Sequence, residues 1–288
     1  MRLATFNLLH GMPVLGVSRN GDRPQPGAWP QFDGALLAEA FRLLDADVVG
    51  LQEVDACQPR SGRSDQPRLV AEAMGAEHGV FVPTVEGTPG EPGWAEAPAS
   101  AAVVHSPSSW QQMQASNDEV PHYGVALISR FPILEWEAIR FPAAGMALPL
   151  LVPGDPRPQV VRVQDEPRAA IAAVVESPHG PMTVVTAHLS FVPGTNASQL
   201  RSLVRQLAHL PRPLVLMGDL NLPGRLPRWL TGWQSLARGA TYPSMRPVIQ
   251  FDHLLADGLP PSVRPVVAGH RLPISDHLAL SATFPPPR

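Results

Sequence analysis

Leu214-Val215-Leu216-Met217-Gly218-Asp219-Leu220-Asn221 is the stretch on which the fold turns. Four consecutive apolar residues bounded by a glycine read as a short buried strand. Gly218 lacks a side chain and permits a tight exit. Asp219 and Asn221 follow at i and i+2, so they point to the same side. An apolar run thus ends on a carboxylate and an amide presented together.

The same pattern recurs along the chain. Apolar runs end on Thr5-Phe6-Asn7, Leu51-Gln52-Glu53-Val54-Asp55, Thr186-Ala187-His188-Leu189, Phe251-Asp252-His253 and Ser275-Asp276-His277. These islands meet only if the whole chain folds around one site. Strands are expected at Arg2 to Asn7, Asp47 to Leu51, Val125 to Ile128, Ala169 to Val175, Thr183 to Ala187, Val248 to Leu255 and Leu278 to Phe284. Helical spacing marks Leu36, Leu37, Ala40, Phe41 and Leu44, with Asp33 as N-cap, then Leu69 to Met74, then Leu200 to Leu210. Many strands, few helices and no linker or repeat predict one α/β domain over residues 1–288, built on two packed sheets. Pro/Gly-rich loops at about 11–30 and 86–120 are expected to rim the site, where specificity residues would lie.

Composition narrows the classes. With 44% hydrophobic residues the chain buries a substantial core, and its 35 prolines fall between the periodic segments. Every one of the 22 basic residues is arginine, and the formal net charge is −3. That balance argues against a strong nonspecific nucleic-acid binder, which carries a basic stripe. Cys57 is the only cysteine, so no intrachain disulfide forms. No apolar run reaches the ~18 residues of a membrane span, and no basic-then-apolar leader opens the chain. A cytoplasmic monomer is expected.

Hard oxygen donors and imidazoles suit a Mg²⁺-type ion and a phosphate ester. His277 needs an orienting carboxylate, for which Asp252 is the candidate. His10, His78, His105, His122, His179, His209 and His270 are read as loop or surface residues without a role. Other chemistries lack their motifs: there is no His-Glu-x-x-His, no Gly-rich loop with lysine and no Gly-x-Ser-x-Gly elbow.

Taken in order, Leu-Gln-Glu-Val, Thr-Ala-His-Leu, Leu-Val-Leu-Met-Gly-Asp-Leu-Asn and Ser-Asp-His resemble the endonuclease/exonuclease/phosphatase superfamily over nearly the whole chain. The resemblance implies a four-layer α/β sandwich, two mixed β-sheets face to face with helices outside. It implies a phosphate-ester hydrolase using Mg²⁺ or Mn²⁺, with Glu53 as principal metal ligand and Asn7 and Asp276 assisting. By the same resemblance Asp219 orients the attacking water and Asn221 holds a phosphate oxygen. His277, backed by Asp252, serves as base or stabilises the transition state, while His188 and Arg168 contact the phosphate.

A phosphodiester is the expected substrate, whether nucleic acid, lipid head group or small molecule. A phosphomonoester is the alternative. Abasic-site endonucleases typically have Tyr where this chain has His188, and the Pro-x-Trp-x-Asp-Arg segment of inositol 5-phosphatases is absent. A binding protein that kept the fold and lost turnover would show an eroded site; here both imidazoles, the metal carboxylate and the Asp/Asn pair are present.

Overall fold

The strand β12 (Leu214–Asp219) is buried on both faces, and its alternation explains the layering. Val215 and Met217 face one apolar cluster, while Leu214 and Leu216 face another. A strand apolar on both sides must lie between two covering layers. The computed structural model describes residues 1–14, 31–105, 120–152, 159–178 and 180–285.

Two large sheets carry the fold. The first contains β1 (Arg2–Asn7), β2 (Val48–Ala56), β3 (His78–Glu86), β4 (Ala95–Glu96), β5 (Val103–His105), β6 (His122–Ser129), β15 (Val266–His270) and β16 (Ala279–Thr283). Its order is β15-β16-β1-β2-β6-β3-β4, with β5 on β3. The second contains β7 (Ile133–Phe141), β10 (Arg168–Ser177), β11 (Gly180–His188), β12, β13 (Gln234–Ser235) and β14 (Asp252–Asp257), in the order β13-β14-β12-β11-β10-β7. Both are mixed: β1/β2 and β11/β12 run parallel, and their other pairings are antiparallel. A separate ribbon pairs β8 (Ala147–Val152) with β9 (Gln159–Gln164).

Between the sheets lie Leu3, Val48, Val80 and Leu127 from the first and Ile171, Val184, Val215 and Met217 from the second. Outside the first sheet pack α1 (Gly34–Leu44) and α2 (Gln66–Met74). Outside the second sheet pack α3 (Thr195–Gln206) and α4 (Leu226–Thr231). This is the expected four-layer sandwich. Each buried Leu, Val or Phe contributes about 1.5–3 kcal/mol, so three stacked apolar layers dominate the favourable side of folding. In α1 the predicted cap is present: the Asp33 carboxylate accepts from the Ala35 and Leu36 amides.

Several elements differ from the sequence expectation. β2 extends to Ala56 because a bulge absorbs two residues: its register against β6 shifts between Leu51 and Val54, leaving Gln52 and Glu53 out of the ladder. β14 starts at Asp252 rather than Val248. His122 opens β6 rather than lying in a loop. The 86–120 connection contains β4, β5 and a 3₁₀ turn at Ala99–Ala101. Residues 106–119, like 15–30 of the other Pro/Gly-rich segment, lie outside the described residues. No described helix is long and apolar enough to cross a membrane.

Candidate active site

Strand register brings the islands to one edge. In the first sheet Asn7 stands beside Gln52. In the second, His188 is level with Asp219, and Asp219 with Asp252. Non-glycine residues here adopt left-handed backbone, among them Glu53 (φ 55°), Asn221 (φ 50°) and Ser275 (φ 71°). Such geometry costs about 1–3 kcal/mol per residue and concentrates at functional sites.

The strain places side chains that the pleat alone would not. The bulge turns Glu53 towards Asn7, whose Nδ2 donates to Glu53 Oε1 and to Asp219 Oδ2, both at 3.0 Å. Asn7 Oδ1 accepts from the Leu9 amide at 3.1 Å. Asp219 is fixed from its other side, where Oδ1 accepts from the Asn221 amide at 3.0 Å. Asn221 Nδ2 donates to Leu189 O, and Asn196 Nδ2 to Asn221 O. Asn196 is therefore a buried brace.

Burial decides the charges. Glu53 is raised to about 7 by desolvation, against the Asn7 hydrogen bond and aided by repulsion from Asp276. Asp219 is raised to about 6, again by desolvation, with the His277 charge opposing. Asp276 is also raised, chiefly by burial. His277 behaves oppositely: desolvation lowers its pKa, but the charge and hydrogen bond of Asp252, then Asp219 and Asp276, bring it to about 10. Its Nδ1 lies 2.9 Å from Asp252 Oδ2, leaving Nε2 3.8 Å from Asp219 Oδ2 and 4.0 Å from Asp276 Oδ1. His188 is driven well below its ordinary value by burial and by Arg168, so it is a neutral imidazole. Arg168 Nη1 stands 3.1 Å from both ring nitrogens of His188 and 3.1 Å from Glu166 Oε1; Nη2 is 3.5 Å from Asp165 Oδ1.

These groups surround a cleft of about 480 Å³. Glu53, Arg168, His188, Asp219, Asn221, Asp276 and His277 line it; Asn7 and Asp252 stand behind as buried supports. All nine residues singled out in the sequence therefore converge. The cleft also takes in residues the sequence reading passed over: His10, Arg60, Tyr123, Glu166, Tyr242 and Phe251. His10, read from sequence as a loop residue without a role, sits in a left-handed turn (φ 58°) that brings its Nε2 to 3.9 Å from Glu53 Oε2. Arg60 is paired through two hydrogen bonds to buried Asp55 and lies over the Tyr123 ring. Its only sequence signal is Asp55, at the end of the Leu51–Asp55 island.

A divalent ion fits this donor set. Glu53 and Asp276 are hard oxygen donors held half-buried in an electrically costly state, and Asp276 Oδ1 is itself buried without a hydrogen bond. A second grouping, Asp219, Asp252 and His277, offers atoms within 4.8 Å of one another. There the imidazole is already committed to Asp252 through Nδ1.

The sequence model of the endonuclease/exonuclease/phosphatase family matches residues 4–277. No curated protein matches the chain. Among solved structures, an endonuclease/exonuclease/phosphatase from Beutenbergia cavernae DSM 12333 is 21% identical with a TM-score of 0.57, over 98% of this chain and 70% of that one. TDP2 of D. rerio complexed with single strand DNA product is 16% identical with a TM-score of 0.54, over 99% and 98%. A mannosyl-6-phosphatase from Bacteroides thetaiotaomicron VPI-5482 is 13% identical with a TM-score of 0.52, over 99% of each chain. At these identities the likeness is one of fold.

Proposed function

The chain belongs to the endonuclease/exonuclease/phosphatase family, whose members are phosphoesterases, and from that premise we propose that it hydrolyses a phosphodiester by in-line attack of water. Glu53 and Asp276 would hold a Mg²⁺ or Mn²⁺ ion, with Asn7 aligning Glu53 and offering the remaining lone pair of its Oδ1. Bound there, the ion offsets charge on the phosphate and eases departure of the leaving group.

The observation that carries this reading is the Asn7 amide held between Glu53 and Asp219, with His277 Nε2 facing the same space. Asp219, raised to about 6, is poised to accept a proton from water near neutrality. Both its oxygens are already oriented by Asn7 and Asn221, so little reorganisation is needed. Asn221 keeps one Nδ2 hydrogen for a phosphate oxygen. His277 is a cation and stabilises charge developing on the phosphoryl oxygens. Neutral His188 donates a hydrogen bond, and the adjacent Arg168 guanidinium supplies charge.

A second reading, a phosphomonoesterase acting on a small molecule or lipid head group, is favoured by one observation. Two buried cations, Arg168 and His277, face one small cleft and together offset a dianionic terminal phosphate. Hydrolysis of bis-p-nitrophenyl phosphate against p-nitrophenyl phosphate, with Mg²⁺, Mn²⁺ or a chelator, separates the two. Faster turnover of the diester, abolished by chelation, is expected. Faster turnover of the monoester selects the second reading, and no turnover of either ester overturns both.

A further inference from the structure

The segment joining β12 to β14 differs in charge from the rest of the chain. Between Asp219 and Asp252 it holds four of the 22 arginines, Arg225, Arg228, Arg238 and Arg246, and none of the 25 carboxylates. In a protein of net charge −3 this is a strongly basic segment. All four arginines are exposed, and none makes a side-chain hydrogen bond or ion pair among the described residues.

The same segment exposes large apolar side chains. Leu226 is 37% exposed, Trp229 69%, Met245 58% and Val248 73%. In the short helix α4, Leu226 and Trp229 are i and i+3, and Arg225 precedes Trp229 by four residues, so the three are neighbours on the helix surface. Met245, Arg246 and Val248 crown the Tyr242–Ile249 turn, which is closed by hydrogen bonds from the Tyr242 amide to Ile249 O and from the Val248 amide to Tyr242 O. The Gly224 amide donates to Gln250 O, tying the entry of α4 to the root of that turn. Asn221, Tyr242 and Phe251 from this segment line the cleft. The basic, partly apolar segment therefore borders the cleft.

We propose that residues 220–251 form a docking surface for an anionic lipid bilayer. Exposed arginines beside exposed aliphatic and indole side chains match the boundary between anionic head groups and acyl chains. A nucleic-acid strand is the poorer occupant, because three of the four exposed apolar residues are aliphatic and offer bases no ring to stack on. Docking needs no turnover, so it stands apart from the hydrolysis proposed above.

The test is flotation of the whole chain with phosphatidylcholine vesicles, alone or with about one third phosphatidylserine. The wild type is expected to float with the anionic vesicles, to be released by high salt, and to ignore the neutral ones. Arg225→Glu with Arg228→Glu should weaken partitioning at least tenfold, since about 1 kcal/mol attaches to each basic residue near such a surface. Trp229→Ala should weaken it several-fold without altering the salt dependence. Arg246→Glu with Val248→Ser provides an independent pair on the turn, should the helix variants fold poorly. Circular dichroism and hydrolysis of a soluble ester should be unchanged in every variant. Absence of flotation, equal flotation with neutral vesicles, or tighter binding of the wild type to a single-stranded oligonucleotide than to the anionic vesicles would overturn the proposal.

Discussion

His277 Nδ1 stands 2.9 Å from Asp252 Oδ2, and this contact keeps a buried imidazole charged. Desolvation works against the charge, but Asp252 outweighs it and the pKa rises to about 10. Asp252→Asn preserves the shape and removes the counter-charge. In the wild type the His277 imidazole NMR signal should show no titration until pH nears 10. In the variant it should titrate far lower, and turnover should fall about 10²-fold. The linkage has a definite sign. A folded pKa above the unfolded value of 6.5 stabilises fully below that value and is lost as pH rises through about 10. Urea midpoints should fall between pH 7 and 10 in the wild type and less steeply in His277→Gln.

Glu53 predicts how an ion and protons compete. Burial holds its carboxyl at about 7, so near neutrality part of the population is protonated, and a cation must displace that proton. Calorimetric titration with Mn²⁺ at pH 6.5 should therefore show proton release and an affinity that strengthens towards pH 8. Glu53→Gln should abolish the pH dependence, weaken Mn²⁺ at least tenfold and remove most turnover. Without the ion the linkage runs the other way from a stabilising carboxylate. A raised folded pKa favours the fold at low pH, and this contribution fades as pH rises through 7.

Arg168 is buried against His188, Glu166 and Asp165, so its flat, forked guanidinium serves several partners at once. Lysine offers one compact charge and cannot match that fork. Arg168→Lys should raise KM about tenfold while leaving the fold intact by circular dichroism. An unchanged KM would show that the guanidinium does not meet the substrate.

The chemistry was more legible than the geometry, because polar islands at strand ends are local in sequence whereas the bulge at Glu53 depends on β6. Asp219 and Asn221 could be read from Gly-Asp-Leu-Asn because a period of two decides which way they point. His10 could not. Its position depends on a left-handed turn and on buried Gln66, whose Nε2 donates to His10 O and whose Oε1 accepts from the Asp55 amide. Tyr123 enters the cleft through the pairing of β6 with β2, opposite Asp55, and Arg60 through a 3₁₀ turn that returns it to the Asp55 carboxylate.

Gln52 joins the two sheets beneath the site and gives the most demanding test of how they are held. Its Nε2 donates to Thr186 Oγ1 at 2.9 Å and to Thr5 Oγ1 at 3.1 Å, all three side chains being fully buried. Close by, Gly50 has no Cβ, and one placed there would collide with Thr186, so the two sheets approach closely at this point. Gln52→Leu removes the amide and strands both hydroxyls in an apolar interior, a loss of about 2–3 kcal/mol. Replacing the threonines too, as Thr5→Val/Gln52→Leu/Thr186→Val, removes the stranded groups and should recover most of that stability. Turnover should recover less than stability, because the Gln52 side chain anchors the bulge whose next residue is Glu53. Urea denaturation and ester hydrolysis on the single and triple variants check both halves. If the triple variant is no more stable than Gln52→Leu, the hydroxyls find other partners and the amide is not what joins the sheets.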